Sequence, residues 1–277
     1  MLIPDELSGG FKKRPLDAHK RSVGTVTVVG GSKRYSHAPV VAALGARAAG
    51  AGLVQLVVPG ESRFAAAVHV PEATFASMAE GLKSDVVVAG MGLGTGADAV
   101  STVKHLLAAR VGRLVLDADA LNVLAKIGVG GGAESLVLTP HEGEAARLLG
   151  CERGDVAADR LGAARAIAEK FSATVVLKGP GTLVVECGGG RVYRNATGNP
   201  FMALGGMGDL LAGVIGARWA YLKSDAFIAA ATSVWLHGAA ADEVVRAGRD
   251  PSIVNTAAAI GSLRVAVEGH ETMNRKE

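Results

Sequence analysis

Short runs of β-branched and aliphatic residues recur along the chain, each followed by glycine or turn residues and then by an alanine-rich stretch of helical length. TVTVV at 25–29, VQLVV at 54–58, DVVVA at 85–89, RLVLD at 113–117, SLVLT at 135–139 and TVVLK at 174–178 predict strands. Helices are predicted between them at about 38–50, 97–109, 119–127, 141–149 and 155–170. Continuous apolar runs mark strands covered on both faces, and their alternation with helices implies parallel βαβ units. Beyond residue 178 the pattern changes: TLVVEC and RVYRN, separated by Gly188, Gly189 and Gly190, predict an antiparallel hairpin, and three helical stretches follow from Gly205 to about residue 267.

The fold expected is therefore α/β, a mainly parallel central sheet with helices on both faces and a C-terminal hairpin and helices. No linker, repeat or low-complexity segment divides it, so residues 1–277 read as one domain with an N-terminal arm at 1–22. In open α/β sheets ligands sit beyond the carboxyl ends of the strands, and here those ends are polar or glycine-rich. Strand one ends in GGSKRYSHAP, strand three in GMGLGTG, strand four in DADALN, strand five in TPHEGE and strand six in KGPGT.

Composition narrows the function. Hydrophobic residues make up 49% and charged residues 20%, and the 29 basic and 26 acidic residues are mixed, giving a net charge of +3. With no basic stripe and few aromatics, nucleic acid is not an expected partner. The densest basic stretch, Lys12-Lys13-Arg14 with Lys20-Arg21, reads as a solvated arm, with a phosphate-binding patch as the alternative. Nothing resembles a signal peptide, and the apolar stretch Ala226 to Leu236 is too short to span a bilayer, so a cytoplasmic, membrane-free protein is expected. Cys151 and Cys187 lie in no ligand spacing and read as reduced structural thiols, with one disulfide between them as the alternative.

The candidate chemistry centres on GNPFMALGGMGDLLAGVIGA, residues 198–217. Gly205, Gly206, Met207 and Gly208 precede an apolar helix and offer backbone N–H groups for an anion. Asp209 is then either an N-cap or a general base taking a proton from a hydroxyl that attacks a phosphoryl group; both roles are compatible. Lys178-Gly179-Pro180-Gly181-Thr182 is either a tight turn or a loop against a nucleotide with Lys178 near its phosphates. Gly90 to Gly96 matches a dinucleotide fingerprint only loosely and follows the wrong strand for one. His141, in a strand mouth after Pro140, reads as a ligand contact, whereas His19, His69, His105, His237 and His270 default to structural or surface roles. Asp117 and Asp119 read as hydrogen-bonding groups, Asp119 as a helix cap. No metalloprotease, P-loop, nucleophile-elbow or zinc motif is present.

Taken together, VVGGSKRYSHAP, AGMGLGTG, LDADALNVL, LTPHEGEAARLLG, LKGPGT and GNPFMALGGMGDLLAGVIGA resemble the ADP- or ATP-dependent NAD(P)H-hydrate dehydratases, a nicotinamide-repair branch of the ribokinase-like superfamily. The resemblance runs from about residue 23 to residue 217. It implies a ribokinase-like fold and the repair of NADHX and NADPHX, in which the ring hydroxyl is phosphorylated by ADP or ATP and then eliminated as phosphate. It further implies Asp209 as catalytic base with Gly206 and Gly208 holding the transferring phosphoryl group. Lys178, Gly179, Pro180, Gly181, Thr182 and Gly208 would surround the adenine nucleotide, and Ala38, Gly92, His141 and Asp209 the hydrated dinucleotide. Glu144 would organise Mg²⁺ through water, and Asn122 would adjoin the site. A homotetramer and a separate NAD(P)HX epimerase are the implied partners.

The chain departs from the family pattern in three places: Met207 replaces the usual Thr of GGTGD, Phe201 replaces a small residue, and His37 stands where Gly is common. Two other readings remain beside the dehydratase. One is a vitamin-precursor kinase of the same superfamily, and the other a catalytically inactive nucleotide-binding protein, which the retained Asp209 argues against.

Overall fold

The computed structural model of the chain describes residues 3–109, 111–128, 135–223 and 225–269. In chain order the elements are β1 (Thr25–Val29), α1 (Ala38–Ala48), β2 (Leu53–Val57), α2 (Gly60–His69), β3 (Thr74–Phe75), α3 (Met78–Gly81), β4 (Val86–Ala89) and α4 (Ala97–Ala108). They continue as β5 (Arg113–Leu116), α5 (Asp119–Ile127), β6 (Ser135–Leu138), α6 (Glu142–Leu149), α7 (Arg153–Ala158), α8 (Arg160–Phe171) and β7 (Thr174–Leu177). The chain then runs through β8 (Leu183–Val185), β9 (Val192–Arg194), α9 (Met207–Leu222), α10 (Ala226–Arg246) and α11 (Ile253–Gly269).

One sheet holds all nine of these strands in the order β3-β2-β1-β4-β5-β6-β7-β8-β9. Neighbours from β3 to β7 are parallel, and β8 and β9 return antiparallel. The expected six parallel strands and hairpin are present, and the sheet is covered on both faces. Along β4, Val86 and Val88 belong to a core with α1, α9 and α10, while Val87 and Ala89 belong to the opposite core with α4, α5, α6 and α8. This two-sided burial is why the strand sequences lack alternation.

The structure corrects several of these expectations for physical reasons. The predicted helix at 155–170 is two, because Asp159 ends α7 in a non-helical conformation and its carboxylate caps α8 by accepting the Gly162 N–H at 2.8 Å. The helix α2 was not anticipated: it exposes Phe64 and Val68 and buries Ser62, so it carries no amphipathic pattern to read. The segment before β1 is only partly solvated, since it forms a 3₁₀ turn over Asp5–Gly10, buries Leu7 and packs Phe11 edge-on against Trp235 with ring centroids 5.3 Å apart. Cys151 and Cys187 are free, as expected of reduced thiols, which removes the disulfide alternative, but both are exposed and so contribute no core packing.

The helix that carries Asp209 is fixed by backbone approach. A Cβ on Gly213 would collide with the Ala42 carbonyl, one on Gly45 with the Leu210 carbonyl, and one on Gly216 with Val88 of the sheet. Reciprocal glycines thus let α1 and α9 cross in direct backbone contact above β4. Gly213→Val is expected to cost about 3 kcal/mol or more through forced separation of the two helices. Gly60→Ala, where a Cβ meets nothing within 4 Å, is expected to be neutral or slightly stabilising; urea unfolding of both variants checks the contrast.

Candidate active site

Asp117 follows β5 and is buried; its Oδ1 accepts a hydrogen bond from Lys178 Nζ at 2.5 Å, while its Oδ2 is buried with no partner among the described residues. The backbone is bent sharply to deliver it. Ala118 has φ 52 and ψ −120, a region that disfavours a side chain, and a Cβ at the neighbouring Gly90 would strike the Asp117 carbonyl.

Lys178 comes from the end of β7, where its N–H donates to the Pro140 carbonyl at 2.8 Å and ties the two strand mouths together. Its Nζ lies 3.9 Å from Glu144 as well as against Asp117. Burial works against its charge, but the Asp117 and Glu144 carboxylates outweigh that and raise its pKa, so the ammonium is held charged. Beyond it, Gly179, with φ 140, and Gly181, with φ 61, turn the loop, and Thr182 Oγ1 closes it by donating to the Gly179 carbonyl at 2.9 Å. Pro180 is exposed at its tip.

His141 is the N-cap of α6. Its Nδ1 accepts from the Gly143 and Glu144 N–H groups at 3.0 and 3.2 Å, and Glu144 Oε2 accepts from the His141 N–H at 2.9 Å, a reciprocal capping box. Nδ1 is therefore unprotonated, and burial with the nearby Lys178 charge lowers the imidazole pKa, leaving a neutral ring that is about half exposed. Burial pushes Glu144 up to about 7 against the pull of Lys178.

Asp209 sits in the first turn of α9, at the third helical position, and Gly206, in the left-handed region with φ 95, occupies the N-cap. Asp209 is thus not the cap that its spacing suggested. A Cβ on Gly208 would lie 3.1 Å from Lys178 Nζ and 3.8 Å from Asp117 Oδ2, which sets the amino end of α9 directly over the buried ion pair. Burial, reinforced by Asp117, pushes the Asp209 pKa up to about 7, and Lys178 pulls it back. Met207 is buried in the core beside α1, where it contributes packing rather than a hydrogen bond.

The loop after β4 completes the mouth. Gly92, with φ 70, approaches so closely that a Cβ would meet Tyr35 and Ala38, which joins two of the sequence-predicted residues. Asp119 does not cap α5; its Oδ2 accepts the Gly94 N–H at 2.8 Å and pins the glycine loop. Asn122 accepts from Arg147 at 2.9 Å and lines, with Thr95, Lys126 and Arg147, a cavity of about 500 Å³ beside that loop. The departures His37 and Phe201 are both exposed.

The NAD(P)H-hydrate dehydratase family profile matches residues 26–258. The chain belongs to that family. It is 43% identical over 247 residues, 84% of this chain and 81% of the other, to the ADP-dependent (S)-NAD(P)H-hydrate dehydratase of Neisseria meningitidis serogroup B. It is 40% identical over 264 residues to the bifunctional NAD(P)H-hydrate repair enzyme Nnr of Gloeobacter violaceus, of which it spans about half, 49%, with 87% of its own length. Among solved structures, the Bacillus subtilis ADP/ATP-dependent NAD(P)H-hydrate dehydratase co-crystallised with ATP/Mg²⁺ superposes with a TM-score of 0.85 at 26% identity, covering 95% of this chain and 97% of that one.

Several residues that shape this dehydratase-family site carried no sequence signal. Arg160 donates to the Leu177 and Lys178 carbonyls at 3.2 and 3.4 Å and pairs with Glu142 at 2.5 Å, so α8 and α6 together buttress the lysine loop. Asp242 of α10 accepts from Gly198 N–H and from Asn199 Nδ2, both at 2.8 Å, anchoring GNP before α9. Glu142 stood inside TPHEGE without a role, and Asp242 followed an apolar run that hid it. His237 is buried and pushed down to about 4, hence neutral and structural, while His19, His69 and His105 are exposed. His270 lies outside the described residues. The strain at Ala118 predicts that Ala118→Gly raises unfolding stability by about 1 kcal/mol, measured by urea denaturation.

Proposed function

We propose that this chain dehydrates (6S)-NADHX and (6S)-NADPHX to NADH and NADPH at the expense of a nucleoside phosphate, with ADP favoured over ATP. The single observation that carries the reading is Asp209, a carboxylate pushed up to about 7 within the amino-terminal turn of a helix whose glycines face a buried lysine. A base with a pKa near neutrality can take a proton and still be ionised enough to act.

Hydroxide leaves a carbon badly, so the hydroxyl must first become a better leaving group. Asp209 takes the proton of the 6-hydroxyl as its oxygen attacks the terminal phosphorus, and the bond from that phosphorus to the nucleotide's bridging oxygen breaks. The N–H groups of Gly206 and Gly208 and the Lys178 ammonium hold the negative charge on the transferring phosphoryl oxygens. The ring nitrogen lone pair then expels phosphate from C6, and loss of a proton from C5 restores the double bond.

In this reading Lys178 through Thr182 and Gly208 receive the nucleotide, whereas Ala38, Gly92 and the neutral His141 receive the hydrated dinucleotide. Among the described residues no three His, Cys, Asp or Glu stand together as a metal site. The uncommitted Oδ2 of Asp117 and the Glu144 carboxylate beside Lys178 nevertheless suit Mg²⁺, which takes one or two carboxylates, water and substrate phosphates. When bound, Mg²⁺ supplies charge neutralisation of the phosphates.

The chain would work in the cytoplasm as a homo-oligomer, a tetramer by the family's habit, alongside an activity that epimerises the R form. Among the described residues no helix is long and apolar enough to cross a membrane. Incubated with NADHX, Mg²⁺ and ADP or ATP, the protein is expected to restore dihydronicotinamide absorbance. Asp209→Ala is expected to lower the rate about 10²–10⁴-fold while nucleotide binding persists. No recovery with either nucleotide, from folded and nucleotide-binding protein, contradicts the reading.

A further inference from the structure

A second cavity, again of about 500 Å³, lies at the opposite end of the sheet. Val23, just before β1, and Gly52 and Leu53, at the start of β2, line it, so it opens at the amino ends of β1 and β2, whereas Asp117 and Lys178 stand at the carboxyl ends of β5 and β7. Its polar lining is one-sided in charge: Arg14, Lys20 and Arg47 face a single carboxylate, Glu72, which is already paired with Arg47 at 3.3 Å.

The electrostatics behind the cavity deepen the imbalance. Arg218 and Arg264 both donate to Glu268, and a Cβ on Gly50 would meet the guanidinium groups of both Arg14 and Arg264. Three guanidinium groups thus crowd around one carboxylate. Among the described residues Arg14 donates to the Gly50 carbonyl and stacks on the face of Tyr221, 5.7 Å from its centroid. Burial and the like charge of Arg264 both lower its pKa. The Nε atoms of Arg14, Arg218 and Arg264 are all buried without a hydrogen-bond partner among the described residues. Of the three, Arg14 lines the cavity, and an anion there meets its guanidinium and offsets the crowding of its charge against Arg264.

We propose that this cavity is a binding site for a small organic phosphate monoester, separate from the catalytic centre. Its phosphate meets Arg14, Lys20 and Arg47, and its apolar body lies against Val23, Leu53 and Val54. The basic arm, Lys20 included, is thereby given a ligand instead of bulk solvent.

Isothermal titration of phenyl phosphate and of inorganic phosphate, at low ionic strength, tests the assignment. Four proteins are compared: the unaltered chain, a Lys20→Gln/Arg47→Gln variant, a Lys178→Met variant and an Arg14→Lys variant. Both substitutions in the first variant are at solvent-accessible side chains, so an unchanged thermal midpoint is expected and is checked. Phenyl phosphate is expected to bind the unaltered chain at least threefold more tightly than inorganic phosphate and to bind Lys178→Met within twofold of the unaltered chain. The double variant is expected to lose at least tenfold in affinity, and Arg14→Lys, which keeps the charge but not the fork, to show an intermediate loss. Full retention of binding by the folded double variant overturns the proposal, as does loss of all binding in Lys178→Met or no binding to the unaltered chain.

Discussion

The buried contact between Lys178 and Asp117 is the constraint around which the rest of the site is arranged. A lysine and an aspartate removed from water cost several kcal/mol each to desolvate, and attraction compensates only when the geometry is close and further partners are present. Here the ammonium is shared by Asp117 and Glu144, and Asp209 lies within range of the same charge. Burial pushes Glu144 and Asp209 both up to about 7, and one cation among three carboxylates is too little positive charge to pull them back.

Close backbone approach makes this cluster possible. Gly208 leaves room for Lys178 Nζ, Gly90 for the Asp117 carbonyl, and Gly213 with Gly45 for the crossing of α1 and α9. Asp117, Glu144 and Lys178 come from three different strand mouths and Asp209 from the first turn of α9, and glycines at the crossings bring them together. The strain concentrated at Ala118 falls beside the most buried carboxylate of the site, consistent with a backbone held in place by the surrounding sheet.

The parallel strands, the hairpin and the glycine-rich mouths were legible because each rests on local pattern: continuous valine runs, Gly188 to Gly190, and polar residues directly after strands. What the pattern did not carry was the side-chain partner. Asp117 and Lys178 are 61 positions apart and meet only through sheet order. His141 carries no sequence mark of a cap, since imidazole is an uncommon N-cap, and Asp209 looked like a cap because a lone acid before an apolar helix usually is one. Asp159 broke a helix that periodicity joined, and α2 exposes apolar side chains that periodicity would bury. Arg160 and Asp242 act from helices far along the chain and support the site from behind.

Burial and neighbouring carboxylates hold Asp209 near neutrality while Lys178 restrains the shift. A ¹³C NMR titration of the Asp209 carboxylate in the unaltered protein and in Lys178→Met measures this directly. A midpoint of about 7 is expected in the unaltered protein and a clearly higher one without the lysine, because removing a cation disfavours the carboxylate. A midpoint near that of a solvent-exposed aspartate, about 4, unchanged by the substitution, would contradict it.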